Sequence, residues 1–304
     1  MAVVLALAAT LSFGSGDFIA GLVSRRISPL TVALFAQWMG LALLLVASPL
    51  VGAPAVHAPD LMWGAAAGIG AAIGATLFFG ALARGRMSVV APVTAILAAF
   101  VPVMFGIADG ERPGLVMVAG MVVALLAVVL VTAVPERDEP DRLSAIGKSG
   151  EASARGSSTR VSSVAQRMAR DEVPAAVGAG LGFGIFSICL DRTSSEAGLW
   201  PLAAGRGAAG LVCVAVVALA GASFVPGAGS HRACLAATVL EVAATVFLLL
   251  AFRRGLLSLV TAILALYPAV TVVLARMVLH ERLRVAQMIG LACATGGVVM
   301  MALG

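Results

Sequence analysis

Charged residues are scarce in this chain. They make up 12% of its 304 residues, and lysine occurs only once, at Lys148. A soluble globular domain averages about 25% charged and about 45–50% apolar residues, whereas 61% of this chain is hydrophobic. The low charge and the mean hydropathy of +1.07 exclude an ordinary soluble domain and indicate a membrane protein.

Patterns for metal binding, disulfides and secretion are also missing. The four cysteines lie inside apolar runs and none forms a CxxC pair, so no metal centre, disulfide frame or cofactor site is predicted: Cys189, Cys213, Cys234 and Cys293. The opening residues, MAVVLALAAT, lack the basic residues of a cleavable signal. They predict a retained helix.

Nucleic-acid binding and enzyme chemistry are not predicted either. The net charge of +5 comes from arginines in short loops between apolar runs, where they orient a membrane protein. The GxGxxG match at 205–210 has no preceding strand, the Walker-like 147–149 has Arg142 where glycine is needed, and 280–282 lacks the second histidine of a zinc protease. No nucleophile–base pair is spaced for catalysis, so the chain is not predicted to be an enzyme.

Ten apolar stretches are long enough to cross a bilayer core, which takes about 20 helical residues. Helices are the expected conformation because open strands cannot satisfy their backbone in lipid. The sequence predicts an all-α membrane protein with ten transmembrane helices, at roughly 2–23, 29–52, 60–83, 87–108, 113–134, 174–191, 198–221, 233–252, 256–279 and 284–303.

The second half of the chain repeats the first. Residues 81–112 align without a gap on 251–282, and the matched pairs include Arg84/Arg254, Gly85/Gly255, Glu111/Glu281 and Arg112/Arg282. Each repeat has five helices, and an odd number makes the second enter the membrane from the opposite side. The expected organisation is an inverted pair of five-helix repeats, 1–134 and 174–304, with a substrate site between them.

The repeats are joined by a different kind of segment, residues 135–173. It carries seven acidic and seven basic residues among Ser, Gly and Ala. It is predicted to be a mobile linker without a packed core, and its part 161–170 to form a short helix on the membrane surface.

Arginine and lysine are unevenly divided between the two sides of the predicted topology. Fourteen lie on the side of the linker and four on the other. The positive-inside rule therefore predicts a cytoplasmic linker with both termini outside.

Glu241 and Arg206 are the main candidate functional residues. Glu241 lies near the middle of the eighth stretch, where a carboxylate costs a few kcal/mol and usually lines a cavity or proton path. Its repeat mate is Ala71. Arg206 in the seventh stretch lies within about 5 Å of it in depth, from a rise of about 1.5 Å per residue. The two are predicted to form either a static ion pair or a pair that opens, with Glu241 carrying protons and Arg206 meeting an anionic substrate.

Further candidates lie in other stretches. Asp17 follows the glycine-rich SFGSG, which predicts an unwound, cavity-lining first helix or a helix end near the headgroups. Pro92, Pro102 and Pro268 are expected to kink the fourth and ninth helices. Polar or aromatic residues that could contact substrate, or could serve packing, are Gln37, Trp38, Thr94, Thr261, Tyr267 and Thr271.

Glycines spaced four apart occur in the third and sixth stretches, as 64/68, 70/74, 178/182 and 180/184. Such pairs allow helices to approach closely. Packing inside a monomer is favoured over dimerisation, which predicts a monomer or a weak dimer.

The segment GSGDFIAGLVSRRISPLTVALFAQW and the two copies ending in Gly-Glu-Arg or His-Glu-Arg resemble the EamA branch of the drug/metabolite transporter superfamily. The resemblance covers the chain apart from the linker, and its best match runs from Ser258 through Tyr267-Pro268 to Glu281-Arg282; in the first copy Ala98 replaces Pro268. It implies a ten-helix carrier, often an exporter, with a central cavity between the repeats. It also implies cytoplasmic termini, in conflict with the charge count.

The sequence favours a multi-pass secondary transporter of the cytoplasmic membrane. It would move small metabolites or amphipathic compounds, outward in the favoured hypothesis, by alternating access, with proton coupling through Glu241. Two alternatives remain: a uniporter in which Glu241 is structural, and a non-transporting membrane sensor or scaffold acting through residues 135–173.

Overall fold

The computed structural model describes residues 1–24, 26–84, 87–132, 158–220, 223–226, 229–278 and 285–304, and within these ranges the chain is helical without strands. The predicted linker lies outside the described residues up to position 157. The helices are α1 Ala2–Ser24, α2 Pro29–Val51, α3 Ala58–Arg84, α4 Met87–Ala108, α5 Leu115–Thr132, α6 Ser158–Asp191, α7 Trp200–Ala220, α8 His231–Phe252, α9 Leu257–Leu264, α10 Tyr267–Val278 and α11 Val285–Leu303. A 3₁₀ turn, Ser195–Ala197, precedes α7.

The predicted all-α, ten-span membrane architecture is confirmed. Nine spans in the described part of the chain are long and apolar enough to cross a bilayer, and α9 and α10 together form one of them. The remaining predicted span corresponds to the apolar helix α4, Met87–Ala108. The sixth span, Val173–Asp191, agrees with the expected 174–191. Its helix is longer, because α6 begins at Ser158, continues through Pro174 and takes in 161–170, which the sequence predicts to be a separate short helix.

The ninth span is broken at Leu264–Tyr267. Proline lacks an amide hydrogen and its ring clashes with the carbonyl four residues earlier; four residues before Pro268 is Leu264, where α9 ends. The turn is closed by the amide of Leu266 donating to the carbonyl of Ile263 at 3.1 Å. The repeat mate of Pro268 is Ala98, and α4 continues through that position as one helix.

The predicted unwinding of α1 is wrong. The helix is continuous through Gly14 and Gly16. A Cβ on Gly14 would lie 2.7 Å from the Tyr267 carbonyl oxygen, and one on Gly16 would lie 3.3 Å from the Ala237 carbonyl oxygen. The glycines therefore bring α1 against α10 and α8, and close packing of this kind gives the same composition signal as an unwound segment.

The helices pack with the symmetry of an inverted repeat. The corresponding helices of the two repeats are α1 and α6, α2 and α7, α3 and α8, α4 and α9–α10, and α5 and α11. The contact of α1 with α8 corresponds to that of α6 with α3, and the contact of α2 with α8 corresponds to that of α7 with α3. The contact of α4 with α6 corresponds to that of α9 and α10 with α1. Three further contacts, α2–α7, α4–α9 and α5–α11, each join a helix to its own counterpart in the other repeat. Exchanging the repeats thus preserves the contacts, as a pseudo-twofold axis in the membrane plane requires.

The two faces of the bundle differ in packing. Face A carries the loops 52–57, 109–114, 192–199 and 253–256; face B is formed by the opposite helix ends. One large core cluster occupies the half toward face A, with members such as Ala6, Leu44 and Leu248. Toward face B the described residues form two separate small clusters, one around Val23, Val32 and Cys234 and the other around Ala81, Val90 and Ala176. Among the described residues, the largest buried cluster therefore lies mainly toward face A.

The glycine pairs serve contacts within the chain. A Cβ on Gly70 would lie 3.0 Å from the Gly182 carbonyl oxygen, and one on Gly74 would lie 3.0 Å from that of Ala179. On the neighbouring side of α3, Gly68 faces the backbone of Gly205 in α7. The small residues thus let α3 lie directly against both α6 and α7.

Candidate functional site

A polar cluster joins both repeats in the middle of the bundle. Nη1 of Arg206 on α7 donates to Oε2 of Glu241 on α8 at 3.2 Å and to Oε1 of Gln37 on α2 at 3.2 Å. The side chains of Arg206 and Glu241 are 10% and 21% exposed, so the pair is mostly enclosed. Hydrogen bonds in which a partner is charged are among the strongest in proteins.

Two glycines make room for this cluster. A Cβ on Gly40 would lie 3.3 Å from Nε of Arg206, and one on Gly16 would lie 3.4 Å from Cγ of Glu241. Gly40 lies one turn after Gln37 on α2, so the helix that supplies the amide also lets the guanidinium approach. The Glu241 backbone carbonyl accepts the hydroxyl of Thr245 at 3.1 Å.

Asp17 lies on the inward-facing side of α1. Ala6 and Thr10, which are eleven and seven residues earlier and therefore on the same side of the helix, are 0% and 3% exposed. Asp17 is exposed on that same side and lies within electrostatic reach of Glu241 and Tyr267. Along this side of α1, burial is therefore complete near face A and is lost at Asp17, toward face B.

The other candidates contact the backbone of neighbouring helices. The Thr271 hydroxyl donates to the Gly14 carbonyl at 3.2 Å and joins α10 to α1 beside the cluster. The Thr94 hydroxyl donates to the Ala176 carbonyl at 3.1 Å and joins α4 to α6. The Thr261 hydroxyl donates within α9 to the Leu257 carbonyl at 2.7 Å. Each of these hydroxyls has a structural hydrogen bond, whereas Tyr267 is half-buried near Asp17.

Trp38 lines an apolar cleft on the outer side of α2 and α7. Its indole packs on Gly210, whose Cβ would lie 3.3 Å from Cε2, and it is 42% exposed. The cleft encloses about 370 Å³ and is lined by Leu34, Phe35, Trp38, Met39, Ala42, Val214 and Phe224. Gln37, the residue before Trp38, faces the polar cluster instead. Consecutive residues of α2 therefore contact different environments.

Hydrogen bonds at face A join the first turn of α3 to loops of the second repeat. Asp60 accepts the Ser194 amide at 2.7 Å and the Ser194 hydroxyl at 3.1 Å. Nη2 of Arg253 donates to the carbonyls of Ser194 at 2.9 Å and Gly198 at 2.7 Å. Burial lowers the pKa of the Arg253 guanidinium, and the nearby Asp60 carboxylate opposes that shift. These contacts fix the ends of α3, α6, α7 and α8 together.

Sequence reasoning found part of this site. Depth along the helices placed Arg206 and Glu241 at similar levels, and the structure brings them into contact. It did not single out Gly16, Gly40 or the Asp60–Ser194–Arg253 contacts. Repeat alignment gives a signal for Gly40, because it aligns with Gly210, which packs on Trp38; the loop contacts left no pattern. In the described ranges no three His, Cys, Asp or Glu side chains are grouped to hold a metal ion.

Ten membrane spans in two inverted repeats, with a charged cluster between them, define a membrane transporter of the drug/metabolite type. The sequence model of the EamA-like transporter family matches residues 1–133 and 172–303, and the chain belongs to that family. A solved crystal structure of another protein superposes with a TM-score of 0.73 at 18% identity, covering 99% of this chain and 97% of its own. That likeness shows the fold alone. No curated protein matches this chain.

Proposed function

We propose that this protein is a secondary transporter that exports small metabolites or amphipathic compounds across the cytoplasmic membrane by alternating access. The observation that carries the proposal is the Gln37–Arg206–Glu241 cluster, which joins the two repeats inside the bundle. We propose that the contacts of Asp60, Ser194 and Arg253 hold face A closed in this state, with access from face B. An inverted repeat supplies the second state, since exchanging the roles of the repeats closes face B and opens face A.

We further propose that Glu241 couples transport to protons. Arg206 stabilises the carboxylate while the pair is formed. In the proposed cycle the helices move, the pair opens, and Glu241 exchanges the guanidinium for a proton. Gln37 accepts from the same nitrogen of Arg206, so it can keep the guanidinium in place while Glu241 is protonated. In this proposal Asp17 and Tyr267 line the approach from face B, whereas Trp38 lies in the separate apolar cleft.

Transport itself is tested on purified protein in vesicles. A thermal-stability screen against small metabolites, amines and amphipathic cations identifies ligands, because a ligand that binds only the folded state raises the unfolding temperature. Counterflow of a radiolabelled hit is then expected in vesicles with the protein and not in empty ones. A membrane sensor or scaffold acting through residues 135–173 predicts no flux, and that result would overturn the proposal.

The orientation follows from the charge count. We expect the linker in the cytoplasm and face A outside, because fourteen of the eighteen loop arginines and lysines lie on the linker side. Single cysteines at Ser149→Cys and Ser158→Cys, in a chain without other cysteines, should react with an impermeant maleimide only after cells are permeabilised. Strong reaction in intact cells would reverse the orientation and match the one that the family resemblance implies.

A further inference from the structure

Glu111 connects the two repeats at face A. It lies in the loop between α4 and α5 of the first repeat, and its carboxylate accepts the backbone amides of Leu257 and, at 3.0 Å, Ser258 in the second repeat. These amides are at the start of α9, where the first amides of a helix have no partner within it. A carboxylate at this place also interacts favourably with the helix dipole.

The loop is shaped for this contact. The Glu111 amide donates to the Gly106 carbonyl at 2.9 Å. A Cβ on Gly106, in the last turn of α4, would lie 2.7 Å from Cδ of Glu111. The carboxylate in this position therefore needs glycine at 106.

The helix that Glu111 contacts is buried over most of its length. Every residue from Leu257 to Ile263 is buried, whereas Ala269 is the buried residue of α10. The break at Pro268 separates these halves, so the buried α9 lies at face A and the less buried α10 lies toward face B. α10 in turn contacts α1 at Gly14, two residues from Gly16, which packs on Glu241.

We propose that Glu111 is the latch that keeps face A closed, by tying the first repeat to the start of α9, and that it must release before the transporter can open on that face. The latch rests on the alternating access proposed above. It is independent of which substrate is moved and of whether protons are coupled.

Ser258 provides a reporter next to the latch. Its side-chain oxygen is buried and makes no hydrogen bond within the described residues, so Ser258→Cys replaces it with little disturbance. In a chain without other cysteines, this thiol should react slowly with an impermeant maleimide applied from face A. Glu111→Gln removes the charge and one of the two hydrogen bonds, and we expect it to raise the reaction rate about tenfold, the effect of losing one charge-assisted bond.

Asp109→Asn is the matched control. It removes a carboxylate from the same loop, but Asp109 pairs with Arg192 at 2.7 Å where both side chains are substantially exposed, and such surface pairs contribute little. The control should change the rate less than about twofold. Equal rates in Glu111→Gln and the unsubstituted reporter would overturn the latch.

A second variant and a measurement without substitution keep the test decisive if Glu111→Gln folds poorly. Gly106→Ala should displace the Glu111 side chain without changing its charge, and it should also speed labelling. In the unsubstituted protein, hydrogen exchange at the amides of Leu257 and Ser258 should be slow, and exchange as fast as in the loop 52–57 would contradict the latch. Neither labelling nor hydrogen exchange requires flux. The latch can therefore be tested even if the protein does not transport, so failure of the latch and failure of the proposed function are distinguishable.

Discussion

Glu241→Gln is expected to abolish transport driven by a pH gradient while leaving substrate counterflow measurable. Glutamine keeps the shape and can still accept from Arg206, but it cannot take up a proton. Reconstituted vesicles with an imposed pH gradient, compared with counterflow at equal pH, separate the two activities. Gradient-driven flux at the unsubstituted level would show that Glu241 does not carry the proton.

The same substitution should destabilise the protein, because it leaves Arg206 enclosed without a counter-charge at its 3.2 Å partner. Breaking a buried pair from one side costs about 3–5 kcal/mol, and the 21% exposure of Glu241 places the expected loss at the lower end. The double variant Glu241→Gln/Arg206→Met removes both charges and should recover stability without recovering proton drive. Glu196→Gln, which changes an exposed carboxylate near His57, should alter neither stability nor flux.

Gly68→Leu is expected to have the largest effect on folding. Gly68 faces the Gly205 backbone, and a Cβ on Gly205 would itself lie 2.8 Å from the Gly64 carbonyl oxygen. Overpacking a core costs about 1–3 kcal/mol and more where backbone must move. Here α3 and α7 would have to separate, which should lower the thermal midpoint by many degrees and reduce the monodisperse fraction on size exclusion.

Gly21→Leu is the control for that prediction. Gly21 is exposed on α1, and a Cβ there has no neighbour within 4 Å. The same change of residue should therefore leave the midpoint nearly unchanged. If Gly68→Leu and Gly21→Leu had the same midpoint, the close approach of α3 to α7 would not be a determinant of the fold.

The sequence predicts positions along the membrane normal better than positions around each helix. Span lengths and repeat alignment follow from hydropathy and identity, and a fixed rise per residue places Glu241 and Arg206 at similar depth. Which neighbour a side chain faces depends on helix packing, which hydropathy does not encode. That is why Gln37 could be proposed only as one of several polar residues, and why its shared bond with Arg206 required the structure.

The glycines of α1 also show that contacts between helices cannot be predicted from composition. SFGSG in α1 has the composition of an unwound transporter helix, but Gly14 and Gly16 are contact points for α10 and α8. The break occurs instead at Pro268, for which proline chemistry gives a direct local cause. Local causes such as this one can be predicted from the sequence, whereas contacts between distant segments, such as Glu111 with Leu257, cannot.

Asp17→Cys tests the central claim, a cavity between the repeats that is closed at face A and open toward face B. In a chain without other cysteines, an impermeant maleimide is applied separately to each side of sealed vesicles. The thiol should react from face B and not from face A, while Thr10→Cys, on the same side of α1 but 3% exposed, should react from neither. Reaction of Asp17→Cys from face A, or from neither face, would contradict the account.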